Sequence, residues 1–377
     1  MPSNHAVPSN FTVPADNAVP SNHARPRVVV ELDPTLDPQA WAARYEAGEV
    51  PDLSPYGLDR LGAHGYDVHV RQPLADGRSR RLADRMRGRL GGFGFVDAAL
   101  SARSNGQPDA VVAWDERTGL PAIARETLLR HGAPVATGLI WLTDPAVGPV
   151  ARRAAALLLP RAGLVWIQAS PQAAAAISMG ARPDRLRFLP FGIDTDFFTE
   201  AVAERDPDLV FSTGNDRHRD HALLVSALGT VARNRPGTKL MLATRQPVEL
   251  PAELGVRLPA IGHTAIRSGH QRAAVVAVAT RPNDHNSGAT AVLEAMSTGA
   301  AVVGTATEGM SDYVEHGVTG LLVPPGNPQR LAAAVEQLLR EPEQARAMGA
   351  RAAEVTRRDF STTVMAGRLA ELMKQML

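Results

Sequence analysis

Short apolar runs of strand length recur along this chain and alternate with segments of helical length. Strands that alternate with helices predict a parallel sheet covered by helices on both faces. The predicted strands cover residues 27–32, 66–70, 109–114, 134–142, 164–168, 186–190, 209–213, 239–243, 275–279, 301–303 and 321–325. The predicted helices cover residues 57–64, 78–90, 119–131, 171–179, 219–233, 311–315, 328–339, 341–357 and 361–377, with one more that begins near Gly288.

The alternation is interrupted at the charged segment 200–208, which contains Pro207. We interpret this segment as a linker between two doubly wound α/β domains, residues 27–200 and residues 201–360. In such sheets ligands bind beyond the carboxyl ends of the strands. Two Rossmann-like domains in tandem therefore predict a central cleft between their sheets.

Composition limits the classes of function. The length of 377 residues suits two domains, and the net charge of +1 gives no broad electrostatic case for binding nucleic acid or an anionic membrane. No apolar run is long enough to span a bilayer, and the chain has no cysteine for disulfides, thiolate catalysis or metal ligation. We expect a cytoplasmic protein without a nucleic-acid partner and without stable membrane insertion; its oligomeric state stays open.

The first 26 residues repeat a Pro-Ser-Asn-His-Ala-like unit and lack apolar anchors, which predicts a disordered tail. The tail also lacks the basic start and apolar core of a secretory signal. His5 and His23 lie too far apart in such a tail to favour a metal site.

The strongest candidate site is the stretch from His285 to Gly299: a loop of small residues, a helix with one carboxylate, and a glycine stop. Backbone N–H groups at the start of a helix form a natural seat for a diphosphate. Glu294, one turn further on, is placed to accept hydrogen bonds from two ribose hydroxyls. The alternative is an ordinary solvated glutamate on a helix.

A second candidate follows the strand 209–213. Gly214 ends that strand, and Arg217 and Arg219 come directly afterwards, at the mouth of the predicted cleft. The planar fork of N–H donors in arginine suits phosphate oxygens. The alternative is an exposed charged turn, and the phosphate seat in the same domain favours the functional interpretation.

Three carboxylates at predicted strand ends of the first domain are candidates for orienting an acceptor or for acting as a base: Asp115, Glu116 and Asp144. Ordinary turn carboxylates remain the alternative for each. The glycine cluster 91–94 follows no strand and lacks the full phosphate-loop spacing, so we expect a flexible loop there.

These motifs together resemble retaining bacterial glycosyltransferases of the GT-B fold, the family-4 type. The resemblance is carried by Asn286 through Glu294-Ala-Met to Gly309, by the stretch 315–326 and by Phe188-Leu-Pro-Phe-Gly-Ile-Asp-Thr-Asp-Phe-Phe198. It covers residues 160–361 well and the first domain only loosely. It implies two Rossmann-like domains facing a central cleft, with the acceptor bound by residues 27–200 and a nucleotide-sugar donor by residues 201–360. We also expect the last helix, 361–377, to complete the N-terminal domain.

The resemblance assigns roles position by position. Glu294 matches the second glutamate of the family's Glu-x7-Glu motif, which implies ribose binding, whereas Asn286 replaces the first glutamate, which contacts the donor sugar. The loop expected to hold sugar and diphosphate through its amides comprises Ser287, Gly288, Ala289 and Thr290. The family's arginine after the strand glycine is replaced by Asn215, and its lysine by Arg219, with Arg217 as the nearby alternative. Tyr56-Gly57 stands at the position of the family's glycine-rich loop, without the double glycine.

The expected activity is transfer of a sugar from a nucleoside-diphosphate sugar to a small-molecule acceptor with retention, in bacterial natural-product biosynthesis such as antibiotic assembly. Arginines and a helix N-terminus stabilise a leaving diphosphate without a metal, and no Asp-x-Asp motif stands in a suitable setting, so we expect no cofactor. The alternatives are a polysaccharide or oligosaccharide glycosyltransferase, or a protein that binds nucleotide sugar without turnover. The donor's base and sugar, and the acceptor and its linking atom, stay open.

Overall fold

The structure is a computed structural model that describes residues 25–75, 77–101, 107–129, 132–144, 147–200 and 203–377. The predicted tail therefore lies almost entirely outside the described residues. The strands are β1 (Arg27–Glu31), β2 (Asp67–Val70), β3 (Ala110–Ala113), β4 (Val135–Leu139), β5 (Leu164–Ile167), β6 (Leu186–Phe188), β7 (Asp206–Thr213), β8 (Lys239–Ala243), β9 (Gly255–Leu258), β10 (Ala273–Val278), β11 (Ala301–Thr305) and β12 (Leu321–Val323).

The helices fill the connections between these strands. They are α1 (Pro38–Glu46), α2 (Arg78–Arg89), α3 (Phe95–Leu100), α4 (Glu116–Leu128), α5 (Pro149–Leu158), α6 (Gln172–Ser178), α7 (His221–Asn234), α8 (His263–Arg272), α9 (Ala289–Ser297), α10 (Pro328–Arg340), α11 (Pro342–Asp359) and α12 (Thr362–Met373). Short 3-10 helices cover Pro55–His64, Leu159–Arg161, Pro183–Arg185 and Glu308–Asp312.

The strands form two separate six-stranded sheets, and every paired strand is parallel to its neighbour. The first sheet has the order β2-β1-β3-β4-β5-β6, and the second has the order β12-β11-β10-β7-β8-β9. Both are doubly wound orders, and the second is that of a Rossmann fold. The predicted fold class, α/β with two Rossmann-like domains, is confirmed.

Strand order reverses between β1 and β3 in the first sheet and between β7 and β10 in the second. In doubly wound sheets these switch points open a crevice at the carboxyl ends of the strands. The loop 214–220 after β7 and the loop 279–288 after β10 therefore flank one crevice. Their backbones are joined, because Asp220 N–H donates to the Ala279 carbonyl at 2.9 Å and Arg281 N–H to the His218 carbonyl at 2.8 Å.

Helix α12 packs on the N-terminal domain although it is the last element of the chain. Met365, Leu369, Ala370 and Met373 are buried in the same apolar core as Val28, Val30 and Trp166 of the first sheet. The α12 segment also carries Thr362, whose N–H donates to the Ile193 carbonyl at 2.9 Å. The chain thus crosses between the two domains twice, once near residue 193 and once near residue 361.

The apolar pattern located all the strands except β9, and Asn327 caps α10 as its sequence suggested, with its side chain accepting from Arg330 N–H. The expected linker 200–208 is shorter than predicted, because β7 begins at Asp206 and includes Pro207. Helices α1, α3, α5 and α8 were not predicted. The outer helix α1 buries none of its residues, so it lacks the apolar stripe that identifies a helix in a sequence.

No helix among the described residues is long and apolar enough to cross a membrane.

Candidate functional site

A cavity of about 350 Å³ opens between the carboxyl ends of the two sheets. Most of the predicted site residues line it, together with aromatic side chains of the N-terminal domain. The lining consists of Tyr56, Trp114, Asp115, Ile140, Trp141, Gln168, Phe191, residues 213–216, Arg219, Ile266, residues 285–291, Glu294 and Tyr313.

Arg219 provides a positive charge at the wall of this cavity. Its side chain is almost fully buried, and its Nη2 donates to the Thr213 carbonyl at the end of β7. Two glycines make room for the guanidinium: a Cβ on Gly214 would lie 2.6 Å from its Nε, and a Cβ on Gly288 would lie 2.6 Å from its Nη1. Both glycines also have positive φ, 147° and 94°, which other residues rarely adopt.

Burial lowers the pKa of Arg219 to about 10, while the carboxylates of Asp216 and Glu294 oppose this shift. The group stays cationic at neutral pH. Its Nε is buried and has no hydrogen-bond partner among the described residues. A buried guanidinium with an unused donor at the wall of a cavity is suited to bind an anion there.

The start of α9 forms the next part of the wall. The residue before the helix, Gly288, provides no side-chain cap, so the first N–H groups of α9 face the cavity without a capping side chain. The helix dipole adds positive potential at the same end. Ala289 is buried and Thr290 is exposed on this first turn, which borders the same cavity as Arg219.

Asn286 and Ser287 lie just before this helix and are both buried. Asn286 has φ 54°, a left-handed conformation that asparagine tolerates better than most residues. Neither its amide nitrogen nor its amide oxygen has a partner among the described residues. Buried polar atoms are almost always paired in proteins, so these atoms indicate a polar ligand in the cavity.

Glu294 is buried, not a solvated helix carboxylate. Its side chain is 10% exposed, and its Oε2 lies 3.3 Å from Nε2 of His270, a fully buried histidine of α8. His270 was not identified from the sequence, because a lone histidine in a helix carries no recognisable pattern. The imidazole fixes one carboxylate oxygen at the cavity wall.

The N-terminal wall is aromatic. The Tyr56 ring stacks on Trp114 with centroids 4.1 Å apart and an interplanar angle of 4°, and Trp114 also packs edge-on against Phe191. Tyr56 has φ 66°, a left-handed conformation that costs about 1–2 kcal/mol for a residue with a side chain. Strain of this kind is often kept at functional sites. In the sequence, Tyr56 stood out only because the glycine-rich loop of the resembling family has a glycine at this position.

The three carboxylates proposed for the acceptor end up in different surroundings. Asp115 lines the cavity and caps α4 by accepting from Arg117 N–H at 2.9 Å. Glu116 lies behind the wall: its buried carboxylate accepts from Ile140 N–H at 2.8 Å and Trp141 N–H at 3.0 Å, and burial raises its pKa to about 7. These two hydrogen bonds from backbone N–H groups explain why Glu116 is buried, and a bound acceptor molecule is not needed to explain it.

Asp144, the third of these carboxylates, and Arg217 do not line the cavity either. Arg217 Nη2 pairs with Asp144 Oδ2 at 2.5 Å, and the arginine side chain is 59% exposed. Of the two predicted arginines, the fold therefore turns Arg219 into the cavity and Arg217 out towards the other domain.

The loop after β7 is fixed by its own side chains. Asn215 Oδ1 accepts from Arg245 N–H at 2.7 Å, and Asp216 Oδ2 lies 3.0 Å from His285 Nε2. Burial by itself would raise the pKa of Asp216. The pKa nevertheless falls to about 2, because His285 and the backbone N–H of His218 donate to the carboxylate. The backbone of Gly214 and Asn215 is thereby held at the edge of the cavity.

Comparison with known proteins identifies the C-terminal half. Residues 193–355 match the family described as glycosyl transferases group 1. The chain is 31% identical over 189 residues to a D-inositol 3-phosphate glycosyltransferase of Geodermatophilus obscurus, a match that covers 42% of this chain and 41% of that relative's length. The segment 193–355, which holds Arg219, Asn286 and Glu294, is thus the part of the chain that is similar to this family.

Solved structures show the same fold over nearly the whole chain. A sucrose-phosphate synthase from Thermosynechococcus elongatus matches with a TM-score of 0.66 at 16% identity, over 93% of this chain and 99% of that one. HepE from Anabaena in complex with UDP and glucose matches with a TM-score of 0.61 at 17% identity, over 92% and 99%. Both similarities concern the fold, which is the two-domain GT-B arrangement.

Proposed function

We propose that the protein is a glycosyltransferase that moves a sugar from a nucleoside-diphosphate sugar to a small-molecule acceptor with retention of anomeric configuration. One observation carries the proposal: the buried guanidinium of Arg219, the uncapped start of α9 and the carboxylate of Glu294 all border one cavity. A cation, a helix N-terminus and a carboxylate around one cavity suit the diphosphate and ribose of one nucleotide. The group 1 domain supports the same assignment.

The donor would lie along the C-terminal wall. Its diphosphate would accept from Arg219 and from the N–H groups at the start of α9, and its ribose hydroxyls would donate to Glu294. The sugar would then lie beside Ser287 and Asn286, and the amide atoms of Asn286 have no described protein partner. An amide both donates and accepts, so Asn286 suits a sugar hydroxyl in either role.

The chemistry follows from charge. Breaking the bond between the anomeric carbon and the diphosphate leaves negative charge on the phosphate oxygens, and Arg219 and the helix dipole stabilise that charge in a partly buried site. This step uses no metal at the diphosphate. Retention without a covalent intermediate requires the acceptor to attack from the face that the diphosphate leaves, with the acceptor proton passing to a phosphate oxygen. Asn286 is a poor nucleophile compared with a carboxylate, which disfavours a covalent glycosyl-enzyme there.

The N-terminal wall points to the acceptor class. Tyr56, Trp114 and Trp141 offer flat apolar faces, and Asp115 contributes a carboxylate. Among the described lining residues Arg219 is the only arginine or lysine. On the N-terminal side the Arg117 guanidinium lies 5.3 Å from the centroid of the Trp141 ring. The aromatic faces favour an acceptor with a ring that can stack on them.

Asn286 supports a specialised role such as natural-product or antibiotic biosynthesis, because it departs from the glutamate expected at the donor sugar. Polysaccharide or oligosaccharide synthesis is the alternative, and an acceptor panel separates the two. Transfer to an aromatic or aminocyclic acceptor supports the first, and transfer to an oligosaccharide alone supports the second.

The test begins with a thermal-shift screen of the purified protein against UDP, GDP, ADP and TDP, since a ligand stabilises only the state that it binds. We expect one diphosphate to raise the melting temperature clearly more than its monophosphate does. Sugar conjugates of that base are then incubated with and without acceptors, and NMR of the product anomeric proton reports the configuration. Absence of a shift with every diphosphate would contradict the proposal. Binding without donor hydrolysis or transfer would leave a nucleotide-sugar-binding protein.

A further inference from the structure

A cluster of one carboxylate and two imidazoles joins the two domains beside the cavity. Asp144 comes from the end of β4 in the N-terminal domain, His218 from the loop after β7 and His285 from the loop after β10. We call these three residues the interdomain triad. Asp144 is 74 residues from His218 in the chain, so the fold alone brings them together.

The separations within the triad are those of ligands around one ion. Asp144 Oδ2 lies 2.8 Å from His218 Nε2 and 3.8 Å from His285 Nδ1, and all three atoms lie within 4.8 Å of one another. Ligands bound at 2.0–2.1 Å in a tetrahedral site are roughly 3.3 Å apart. The two distances to Asp144 bracket that value, and the His218 and His285 nitrogens lie within 4.8 Å of each other, so small side-chain rotations would bring the three atoms around one ion.

The second observation concerns the orientation of His285. Its side chain is 2% exposed, its Nε2 is held at 3.0 Å by Asp216 Oδ2, and its Nδ1 is buried without a hydrogen-bond partner among the described residues. Metal-binding histidines almost always hydrogen-bond a carboxylate or carbonyl through the ring nitrogen that does not bind the ion. Asp216 provides that carboxylate, and the unpaired Nδ1 is the nitrogen on the side of Asp144 and His218.

We propose that the interdomain triad binds a divalent transition-metal ion of the Zn²⁺ class. Two imidazoles and one carboxylate, without sulfur, form a donor set that suits Zn²⁺ and its neighbours, and three protein ligands leave one position open. Because the ligands come from both domains, the ion links the two domains beside the cleft. It lies beside the cavity and leaves the diphosphate to Arg219.

Arg217 is the competitor for this site. Its guanidinium lies 2.5 Å from Asp144 Oδ2, and because its side chain is 59% exposed it can move into solvent when an ion binds. The arginine thus occupies the carboxylate when the metal is absent. Removing its charge is expected to tighten metal binding.

The test is a Co²⁺ titration of the full-length protein without nucleotide, followed by the visible absorption of four-coordinate cobalt. The tail histidines are removed in all samples by His5→Ala and His23→Ala, so that they cannot contribute. We expect saturation at one equivalent, displacement by Zn²⁺ and weaker binding as the pH falls, because the imidazoles must be deprotonated to bind the ion.

Variants connect the signal to the triad. His218→Gln, at a half-buried position, should abolish the absorption band. Asp216→Asn should weaken binding about 10- to 100-fold, because the carboxylate that orients His285 is lost. Arg217→Ala should bind more tightly than the parent. His69→Ala, which changes an exposed histidine paired with Asp67, is the matched control and should bind as the parent does.

Small-angle scattering then measures the effect on domain closure. Zn²⁺ should reduce the radius of gyration of the parent and leave that of His218→Gln unchanged. Absence of saturable binding, or equal affinity in the parent and His218→Gln, would overturn the proposal. Because no nucleotide is present, these results are independent of whether the glycosyltransferase assignment is correct.

Discussion

Replacing Glu294 by glutamine tests the ribose contact with the smallest change of shape. The carboxylate side chain is 10% exposed and faces the cavity, and its described side-chain partner is His270 at 3.3 Å. Glutamine keeps one acceptor oxygen for His270, so the unliganded fold should be preserved. What is lost is the negative charge and one of two acceptors available to the ribose hydroxyls.

The magnitude follows from the hydrogen bond that disappears. A hydrogen bond to a charged group contributes about 1.5–3 kcal/mol, and each 1.4 kcal/mol is a factor of ten in affinity. Glu294→Gln should therefore weaken binding of the cognate nucleoside diphosphate by roughly 10- to 150-fold. The donor KM should rise correspondingly, or turnover should be lost.

Calorimetric titration measures this loss directly, with the 2′-deoxynucleoside diphosphate as a second ligand. If Glu294 binds the ribose, the parent should discriminate against the deoxy ligand, and the variant should bind both nearly equally. The control is Glu354→Gln, which neutralises an exposed glutamate on α11 in the same domain. Parent-like kinetics and unchanged discrimination in Glu294→Gln would refute the ribose role.

Five further variants probe the site and its surroundings. Arg219→Lys should lower kcat by about 10²- to 10³-fold in a donor-consumption assay, and Arg217→Lys should lower it less; the reverse order would contradict the orientation of the two arginines. Asn286→Ala should weaken calorimetric binding of the complete donor but not of its nucleoside diphosphate, and equal losses would contradict a sugar contact. Tyr56→Gly should raise the acceptor KM, and an unchanged KM would argue against the stacking platform. The melting temperature should fall only slightly, because relief of about 1–2 kcal/mol of backbone strain offsets part of the lost stacking and ring burial. Burial and the nearby Arg219 lower the pKa of His221 to about 4, so its contribution to stability is present above pH 6.5 and is lost as the pH falls towards 4. Urea unfolding measures how much free energy of unfolding is lost between pH 7.5 and pH 5. This loss should be roughly 1–2 kcal/mol smaller in His221→Gln than in the parent, and an equal loss in both proteins would contradict the prediction.

Much of the fold could be predicted because its signal is local. A strand buried on both faces, such as β3 or β10, is a continuous apolar run, and the cap and first residue of α10 are adjacent in the sequence. Helix α1 and strand β9 gave no such signal. Helix α1 buries none of its residues, and β9 lies at the edge of its sheet with two of its four residues exposed.

The candidate site likewise has a part that the sequence predicted and a part that it did not. The sequence placed the loop before α9, Glu294 and the pair of arginines at strand ends, because the order of loops in a doubly wound sheet follows from the order of strands. It could not decide between Arg217 and Arg219. That choice depends on the space left by Gly214 and Gly288, which come from different loops.

The sequence by itself thus determined the two-domain α/β architecture and the segments that meet at the cleft, because periodicity and turn residues act within a few positions. Only the tertiary structure decided which side chains enter the cavity and which pair elsewhere. The carboxylate of Glu116 accepts hydrogen bonds from backbone N–H groups, and that of Glu294 contacts the buried His270. The carboxylate of Asp144 contacts His218 across the domain boundary. These contacts join residues that are 24 to 74 positions apart, and burial and distance between such residues are set by packing, which has no signature in a local sequence pattern.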